Sequence, residues 1–220
     1  MLAPVDLSFR PLTRADFPVL CLWIAAPHVA QWWREDPSPS AVERAYGPAV
    51  DGQDPTEMFV VALGGRDVGF VQRYLLDDHP DWSAALGITD AAGIDYLLGE
   101  TDVVGTGVGS AMVDAFTLST LDRYPDTSCV AVAVQQANGR SWRALENGGY
   151  ERIFAGILES PDPSDDGPSF VYVRRRPSSG ATTHRRFRLP TRAVSRCRAA
   201  PRGREDWRSG PRRRARWARR

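Results

Sequence analysis

The chain has 220 residues, 42% of them hydrophobic, which is enough for one medium-sized domain with its own core. No apolar run reaches the ~18 residues of a membrane helix, and the N-terminus lacks a signal-peptide pattern. Three scattered cysteines lack the spacing of a metal site or a disulfide framework. The sequence therefore predicts a cytoplasmic protein with no membrane partner and no bound metal.

The net charge of +1 hides two segments of opposite sign. Residues 1–173 carry 10 arginines, no lysine and 25 acidic residues, a net charge of −15, whereas residues 174–220 carry 18 arginines and 2 acidic residues, a net charge of +16. From this asymmetry we predict a folded domain over residues 1–176 and a disordered, Arg/Pro-rich basic tail over residues 177–220. Two other interpretations of the tail stay open: non-specific contact with nucleic acid or another anionic surface, and translation past an ancestral stop codon or out of frame.

Hydrophobic periodicity predicts a mixed α/β domain. The predicted elements, in chain order, are a strand over residues 6–12, helices over 14–26, 28–33 and 38–50, a hairpin of strands over 57–63 and 67–76, a strand pair or one interrupted strand over 86–99, a helix over 109–124, a buried strand over 128–134, a helix over 138–149, and closing strands over 150–158 and 168–176. Thr13 and Asn138 are predicted to cap their helices, and residues 77–82 are predicted to form a loop.

Three glycines at alternate positions, Gly105, Gly107 and Gly109, precede the helix over 109–124. Without Cβ atoms they let backbone N–H groups approach a ligand, and unpaired N–H groups at a helix start favour an anion such as pyrophosphate. A flexible turn is the alternative, and the local sequence does not decide between them. A dinucleotide-binding unit is disfavoured because the glycines follow three or more strands, and a nucleotide P-loop is disfavoured because the chain has no lysine.

The segment VVGTGVG (103–109) resembles the acetyl-coenzyme A loop of the GNAT acyltransferase superfamily. Gly107 and Gly109 stand at its glycine positions, while Val104 stands where the superfamily usually has Gln or Arg. NGRSWRALENGGY (138–150) resembles the next superfamily element, with Leu145 where a thiolate-protonating tyrosine is common.

Four further blocks resemble aminoglycoside 6'-N-acetyltransferases in the same order, across roughly residues 7–174. They are WIAAPHVAQWW, AVERAYGPAV, GIDYLLG and DGPSFVYV. The resemblance implies a central, mostly antiparallel twisted sheet, a V-shaped splay between its two central strands, and helices on both faces. It also implies transfer of acetyl from acetyl-CoA, as co-substrate, to a primary amine by direct attack on the thioester. We expect a monomer or a homodimer.

The resemblance makes Asp95, the aspartate of Gly-Ile-Asp, the expected general base. A partly buried carboxylate has a raised pKa and can accept a proton through water, although an exposed strand carboxylate is the alternative. The expected coenzyme-binding residues are Tyr96, Leu97, Leu98, Val104, Gly105, Thr106, Gly107, Val108, Gly109, Ser110 and Asn138. The expected acceptor-binding residues, acids to face amines and aromatics to stack on sugars, are Asp54, Asp81, Asp166, Trp23, Tyr46 and Trp82.

The acidic body fits a polycationic, aminoglycoside-like acceptor by long-range steering. Two other functions stay open. One is acyl transfer to a lysine side chain or a siderophore precursor. The other is a catalytically impaired acyl-CoA-binding module, because Val104, Ala133 and Leu145 depart from the family pattern.

Overall fold

A seven-stranded sheet organises residues 6–160 and 167–176, the part of the chain that this computed structural model describes. The strands are β1 (Leu7–Pro11), β2 (Glu57–Leu63), β3 (Arg66–Leu75), β4 (Ala91–Leu98), β5 (Cys129–Gln135), β6 (Glu151–Ile157) and β7 (Pro168–Arg175). The helices are α1 (Phe17–Ala25), α2 (Pro27–Trp33), α3 (Pro39–Val50), α4 (Pro80–Leu86), α5 (Val108–Arg123) and α6 (Gly139–Asn147). No helix in these two ranges is both long and apolar enough to cross a bilayer.

The strand order is β1-β2-β3-β4-β5-β7-β6, and every neighbouring pair is antiparallel except β4 and β5. These two central strands are parallel and pair only from Ala91 with Cys129 to Gly93 with Ala131. Beyond Gly93 they no longer pair, which leaves a V-shaped opening in the middle of the sheet. The mixed α/β class, the mostly antiparallel sheet and the central splay are confirmed.

Helices cover both faces of the sheet. The first three, α1, α2 and α3, bury one face of β2, β3 and β4, and the residues that meet there include Leu20, Ile24, Val42, Val60, Phe70 and Leu97. Helices α5 and α6 bury the other face, where the contacting residues include Met112, Phe116, Leu145, Val61, Val71 and Ile94. Successive residues of β4 therefore point to opposite helical layers, as side chains alternate along a strand.

The segment between β3 and β4 differs from its prediction. Residues 77–82, predicted as a loop, include the start of α4. Residues 86–99, predicted as a strand pair or an interrupted strand, contain one strand, β4. Leu86, at the start of this range, still belongs to α4. Gly87 ends that helix in the left-handed conformation, with a φ of 66°.

The predicted basic tail over 177–220 lies outside the described residues, so the boundary after residue 176 stays a prediction. At the end of the described chain, Arg176 Nη2 donates hydrogen bonds to the carbonyl oxygens of Leu121 (2.6 Å) and Tyr124 (2.8 Å). These bonds join the end of β7 to the last turn of α5, where free carbonyls favour a cation.

Candidate active site

The opening between β4 and β5 leads into a cavity of about 760 Å³, a size typical of small-ligand sites. Two walls flank it. The α6 wall is the loop and first turn of α5 (residues 104–110) together with the cavity-facing side of α6. The α2 wall is formed by His28, Gln31, Trp32 and Trp33. Strand β4 forms the floor between the two walls.

Asp95 lies on this floor, two residues beyond the last β4–β5 pair. Its side chain is directed to the α1–α3 face, the same face as Leu97, and the residue is only 4% exposed. It accepts a hydrogen bond from Gln72 Nε2 at 2.9 Å. Because Gln72 is fully buried and directly opposite on β3, this bond fixes the direction of the carboxylate.

The backbone of β4 offers hydrogen-bond donors to the opening. The N–H of Gly99 donates to the carbonyl oxygen of Val68 on β3 at 2.9 Å, which sets the direction of the alternating backbone groups. The N–H groups of Tyr96 and Leu98 therefore face the opening, where no β5 residue pairs with them. The N–H of Leu97 faces β3 instead.

The glycine loop is shaped by two left-handed residues. Gly105 and Gly107 have φ angles of 82° and 96°, a region that favours glycine. Helix α5 begins at Val108, and the N–H of Ala111 donates to the carbonyl of Gly107 at 3.2 Å. The N–H groups of residues 108–110 precede this bond and have no acceptor within the helix, so they are available to an anion.

Helix α6 starts at the cavity rim. The side chain of Asn138 caps it by accepting a hydrogen bond from the N–H of Ser141 at 3.2 Å. Ser141 Oγ also shares a 2.8 Å hydrogen bond with Tyr96 Oη, which ties α6 to β4 across the opening. Burial raises the pKa of Tyr96 and keeps its hydroxyl protonated. Leu145, one turn later, is fully buried in the core.

Side chains build the α2 wall. His28 Nε2 is 2.9 Å from the carbonyl oxygen of Leu98, so this ring sits at the open end of β4. Behind the wall, Trp33 Nε1 donates to Tyr46 Oη at 3.0 Å, and Tyr46 donates to Glu35 at 2.9 Å. Burial raises the pKa of Tyr46, and the nearby Glu35 charge raises it further. Tyr46 thus supports Trp33 from behind.

Most predicted coenzyme-binding residues come together on the α6 wall and the floor. The side chains or backbone of these residues line the cavity: Tyr96, Leu97, Leu98, Val104, Gly105, Gly107, Gly109, Ser110 and Asn138. Two others do not line it. The Thr106 hydroxyl donates to the carbonyl of Val103 at 2.7 Å, and Val108 is buried in the core.

None of the predicted acceptor-binding aromatics lines the cavity. Trp23 is 3% exposed among the α1–α3 core residues, and its indole donates to Glu100 at 2.9 Å. Tyr46 is buried behind Trp33. Trp82 is buried in the small core under α4.

The predicted acceptor-binding acids are also dispersed. Asp54 accepts a 2.8 Å hydrogen bond from the N–H of Thr56 in the turn before β2 and does not line the cavity. Asp81 is exposed on the first turn of α4, away from the cavity. Asp166 lies outside the described residues.

Several cavity residues were missed by the sequence interpretation. They are His28, Gln31, Trp32, Arg140, Arg143 and Ser141, and Gln72, which holds Asp95 without lining the cavity, was missed as well. The His-x-x-x-Trp-Trp block could have indicated the residues of the α2 wall. The three-residue spacing of Arg140 and Arg143 on the predicted helix over 138–149 could have indicated that both face the cavity.

A sequence profile described as an acetyltransferase (GNAT) domain matches residues 13–155, which is more than half of the chain. Comparison with curated protein sequences finds no match. Among solved structures, the crystal structure of aminoglycoside acetyltransferase AAC(6')-Ib with coenzyme A superposes with a TM-score of 0.67 at 27% identity, covering 78% of this chain and 95% of that one. The same enzyme with coenzyme A and kanamycin gives 0.66 and 27%, with the same coverage.

An aminoglycoside N(6')-acetyltransferase from Legionella pneumophila shares the fold at 17% identity and a TM-score of 0.57, covering 78% of this chain and 93% of that one. The splayed sheet, the glycine loop at the start of α5 and the matching profile lead to one conclusion. The chain belongs to the GNAT acetyltransferase family.

Proposed function

We propose that the protein transfers an acetyl group from acetyl-CoA to a primary amine, the 6'-amine, of an aminoglycoside-like polycationic substrate. Support comes from similar structures that were crystallised with coenzyme A and with kanamycin. The net charge of −15 over residues 1–173 favours a cationic acceptor. The proposed location is the reducing cytoplasm, since the sequence has only three scattered cysteines.

One observation carries the proposal: a buried, hydrogen-bonded carboxylate lies at the floor of the opening, between the glycine loop and the aromatic α2 wall. Asp95 has the position that a general base needs, because it lines the cavity and its carboxylate is directed to the face of β4 that α2 covers. Among the described lining residues, Asp95 is the only carboxylate.

The chain's own groups account for each need of the reaction. Acetyl-CoA supplies the activated acetyl group when bound, and the N–H groups of residues 108–110 would hold its pyrophosphate. Asp95 accepts a proton from the acceptor ammonium, directly or through water, which frees the nitrogen lone pair to attack. The N–H groups of Tyr96 and Leu98 stabilise the charge that develops on the carbonyl oxygen.

Position 145 offers no tyrosine to protonate the departing thiolate. The residue there is Leu145, and it is buried. A thiolate whose conjugate acid has a pKa of about 8.5 can leave without full proton transfer. The Tyr96–Ser141 hydroxyl pair on the cavity wall is a candidate to donate a hydrogen bond to it.

The test follows free thiol after mixing the protein and acetyl-CoA with kanamycin, tobramycin, lysine or hydroxylysine. We expect release with the aminoglycosides only, lost in Asp95→Asn and kept in Asp81→Asn, which removes an exposed carboxylate outside the cavity. Release with lysine or hydroxylysine instead would favour the lysine or siderophore-precursor acyltransferase. No release together with measurable coenzyme A binding would favour an impaired acyl-CoA-binding module.

A further inference from the structure

The α6 wall carries two arginines that the proposed reaction has not used. Arg140 and Arg143 are the only arginines among the described residues that line the cavity, and the chain has no lysine. They stand three residues apart on α6, so both project from one side of the helix. Asn147, a further turn along, lies on the same side and hydrogen bonds Ser110 of α5 at 3.5 Å.

Neither arginine is committed to a carboxylate. Seven other arginines of the described chain form ion pairs with Asp or Glu. They are Arg10, Arg14, Arg66, Arg73, Arg123, Arg174 and Arg175. Within the described ranges Arg140 and Arg143 form no such pair, so their guanidinium groups remain available to an external anion.

The shape of the first turn of α6 places Arg143 at the cavity. Its guanidinium stacks on the ring of Trp142, 4.7 Å from the centroid. Its Nη1 lies only 3.3 Å from the point that a Cβ of residue 139 would occupy, so Gly139 leaves room for it. A guanidinium over an aromatic ring is attracted to the ring without using its N–H donors on an acceptor oxygen, so those donors stay available to an anion.

The charge of the proposed donor favours cations at this wall. Coenzyme A carries a pyrophosphate and a 3'-phosphate, and it must enter a body with a net charge of −15 over residues 1–173. The loop provides N–H groups and the start of α5, equivalent to roughly half a positive charge. It provides no cation, because Val104 occupies the position where a polar or cationic residue is usual.

We propose that Arg140 and Arg143 together bind the phosphate groups of coenzyme A and supply the charge that the glycine loop lacks. This inference rests on the proposed use of coenzyme A as the donor. It predicts that donor affinity depends on α6 side chains and on ionic strength, whereas the loop contributes through its backbone.

The experiment measures dissociation constants by calorimetry, without an acceptor, for coenzyme A and 3'-dephospho-coenzyme A. We expect Arg140→Ala and Arg143→Ala each to weaken coenzyme A binding about tenfold, the effect of losing one hydrogen bond to a charged group. Arg143→Lys should recover part of the loss, and raising the salt concentration should weaken wild-type binding more than variant binding. Arg44→Ala is the matched control, because Arg44 is exposed on α3 and does not line the cavity.

The two ligands locate the contact. An arginine effect that disappears with 3'-dephospho-coenzyme A assigns the pair to the 3'-phosphate, and one that persists assigns it to the pyrophosphate; both results support the proposal. Dissociation constants within twofold of wild type in both variants, or an equal change in Arg44→Ala, would overturn it. Failure of the wild-type protein to bind coenzyme A at all would instead overturn the proposed function.

Discussion

The two walls of the cavity are built in different ways. The α6 wall combines two segments of the chain, residues 104–110 and α6, and much of it is built from backbone groups: two left-handed glycines, the free N–H groups of residues 108–110, and a helix capped by Asn138. The α2 wall acts through side chains on one short helix, supported from behind by Tyr46 on α3. The comparison teaches that each backbone feature of the α6 wall is set by residues next to it in the chain, whereas the side chains of the α2 wall depend on support from a separate helix.

The largest expected effect is a loss of kcat on changing Asp95, without a change in coenzyme A binding at the α6 wall. Asp95→Asn should lower kcat by about 10²–10⁴-fold, the usual contribution of a positioned general base. The dissociation constant for coenzyme A should stay within twofold, because Asp95 points to the α1–α3 face. The asparagine oxygen can still accept the Gln72 hydrogen bond, so the unfolding temperature should change little. A parallel loss of coenzyme A affinity would show that the two walls are not independent.

The second effect concerns the backbone of the α6 wall. Gly107→Ala places a side chain at a φ of 96°, which costs about 1–2 kcal/mol and shifts the start of α5. We expect coenzyme A binding, measured by calorimetry, to weaken about tenfold or more. Gly52→Ala imposes similar strain at a φ of 70° in an exposed turn outside the cavity. It should lose stability without losing affinity, and an equal loss of affinity there would contradict the assignment of the loop.

The third effect tests how the acceptor half is held. Gln72→Met keeps a side chain of similar volume but removes the donor to Asp95, a loss of about 1–3 kcal/mol for a buried bond to a charged group. We expect kcat to fall about tenfold at saturating acetyl-CoA, with the coenzyme A dissociation constant unchanged. Rates should be compared at temperatures equally far below each variant's unfolding midpoint. An unchanged kcat would show that Gln72 does not position the base.

The smallest expected effect is on the free energy of unfolding alone. It concerns Asp16, at the start of the helical layer that also contains α2. Hydrogen bonds from Arg10 hold the pKa of Asp16, at the start of α1, at about 2. A carboxylate whose pKa is lower in the folded state stabilises the fold above its ordinary value of 3.8 and loses that contribution as the pH falls towards 2. Because Arg10 is partly exposed, we expect about 1–2 kcal/mol.

Urea unfolding at pH 7, 4 and 2 checks this expectation. Asp16→Asn should lose stability at pH 7 and differ little from wild type at pH 2, while the kcat of the two proteins stays similar at pH 7. A stability difference that is as large at pH 2 as at pH 7 would contradict the assignment.

The same contrast explains what the sequence could and could not predict. The turn at Gly107 and the helix cap at Asn138 depend only on residues a few positions away. Local spacing was therefore sufficient to predict the turn and the cap. The pairing of Gln72 with Asp95 depends on strand register across 23 residues, which no local pattern encodes. Trp23 and Trp82 are of a residue type that often stacks on sugars, which is why the sequence suggested them as acceptor-binding residues. Tertiary contacts, which the sequence does not reveal, decide that both are buried. Helix α4 was missed because its Asp- and Pro-rich start has the composition of a turn.

The short contact between β4 and β5 makes the connection between the two halves of the sheet narrow. Two half-sheets, β1–β4 and β5–β7–β6, are joined by three residue pairs that end at Gly93. The ring of Tyr74 occupies the space above Gly93, 2.4 Å from where a Cβ would stand, so the joint is thin but tightly filled. Leu98 lies five residues, about 16 Å, beyond this joint. A rotation of about 5° there would move the mouth by about 1.4 Å, so the width of the opening is sensitive to the angle between the two half-sheets.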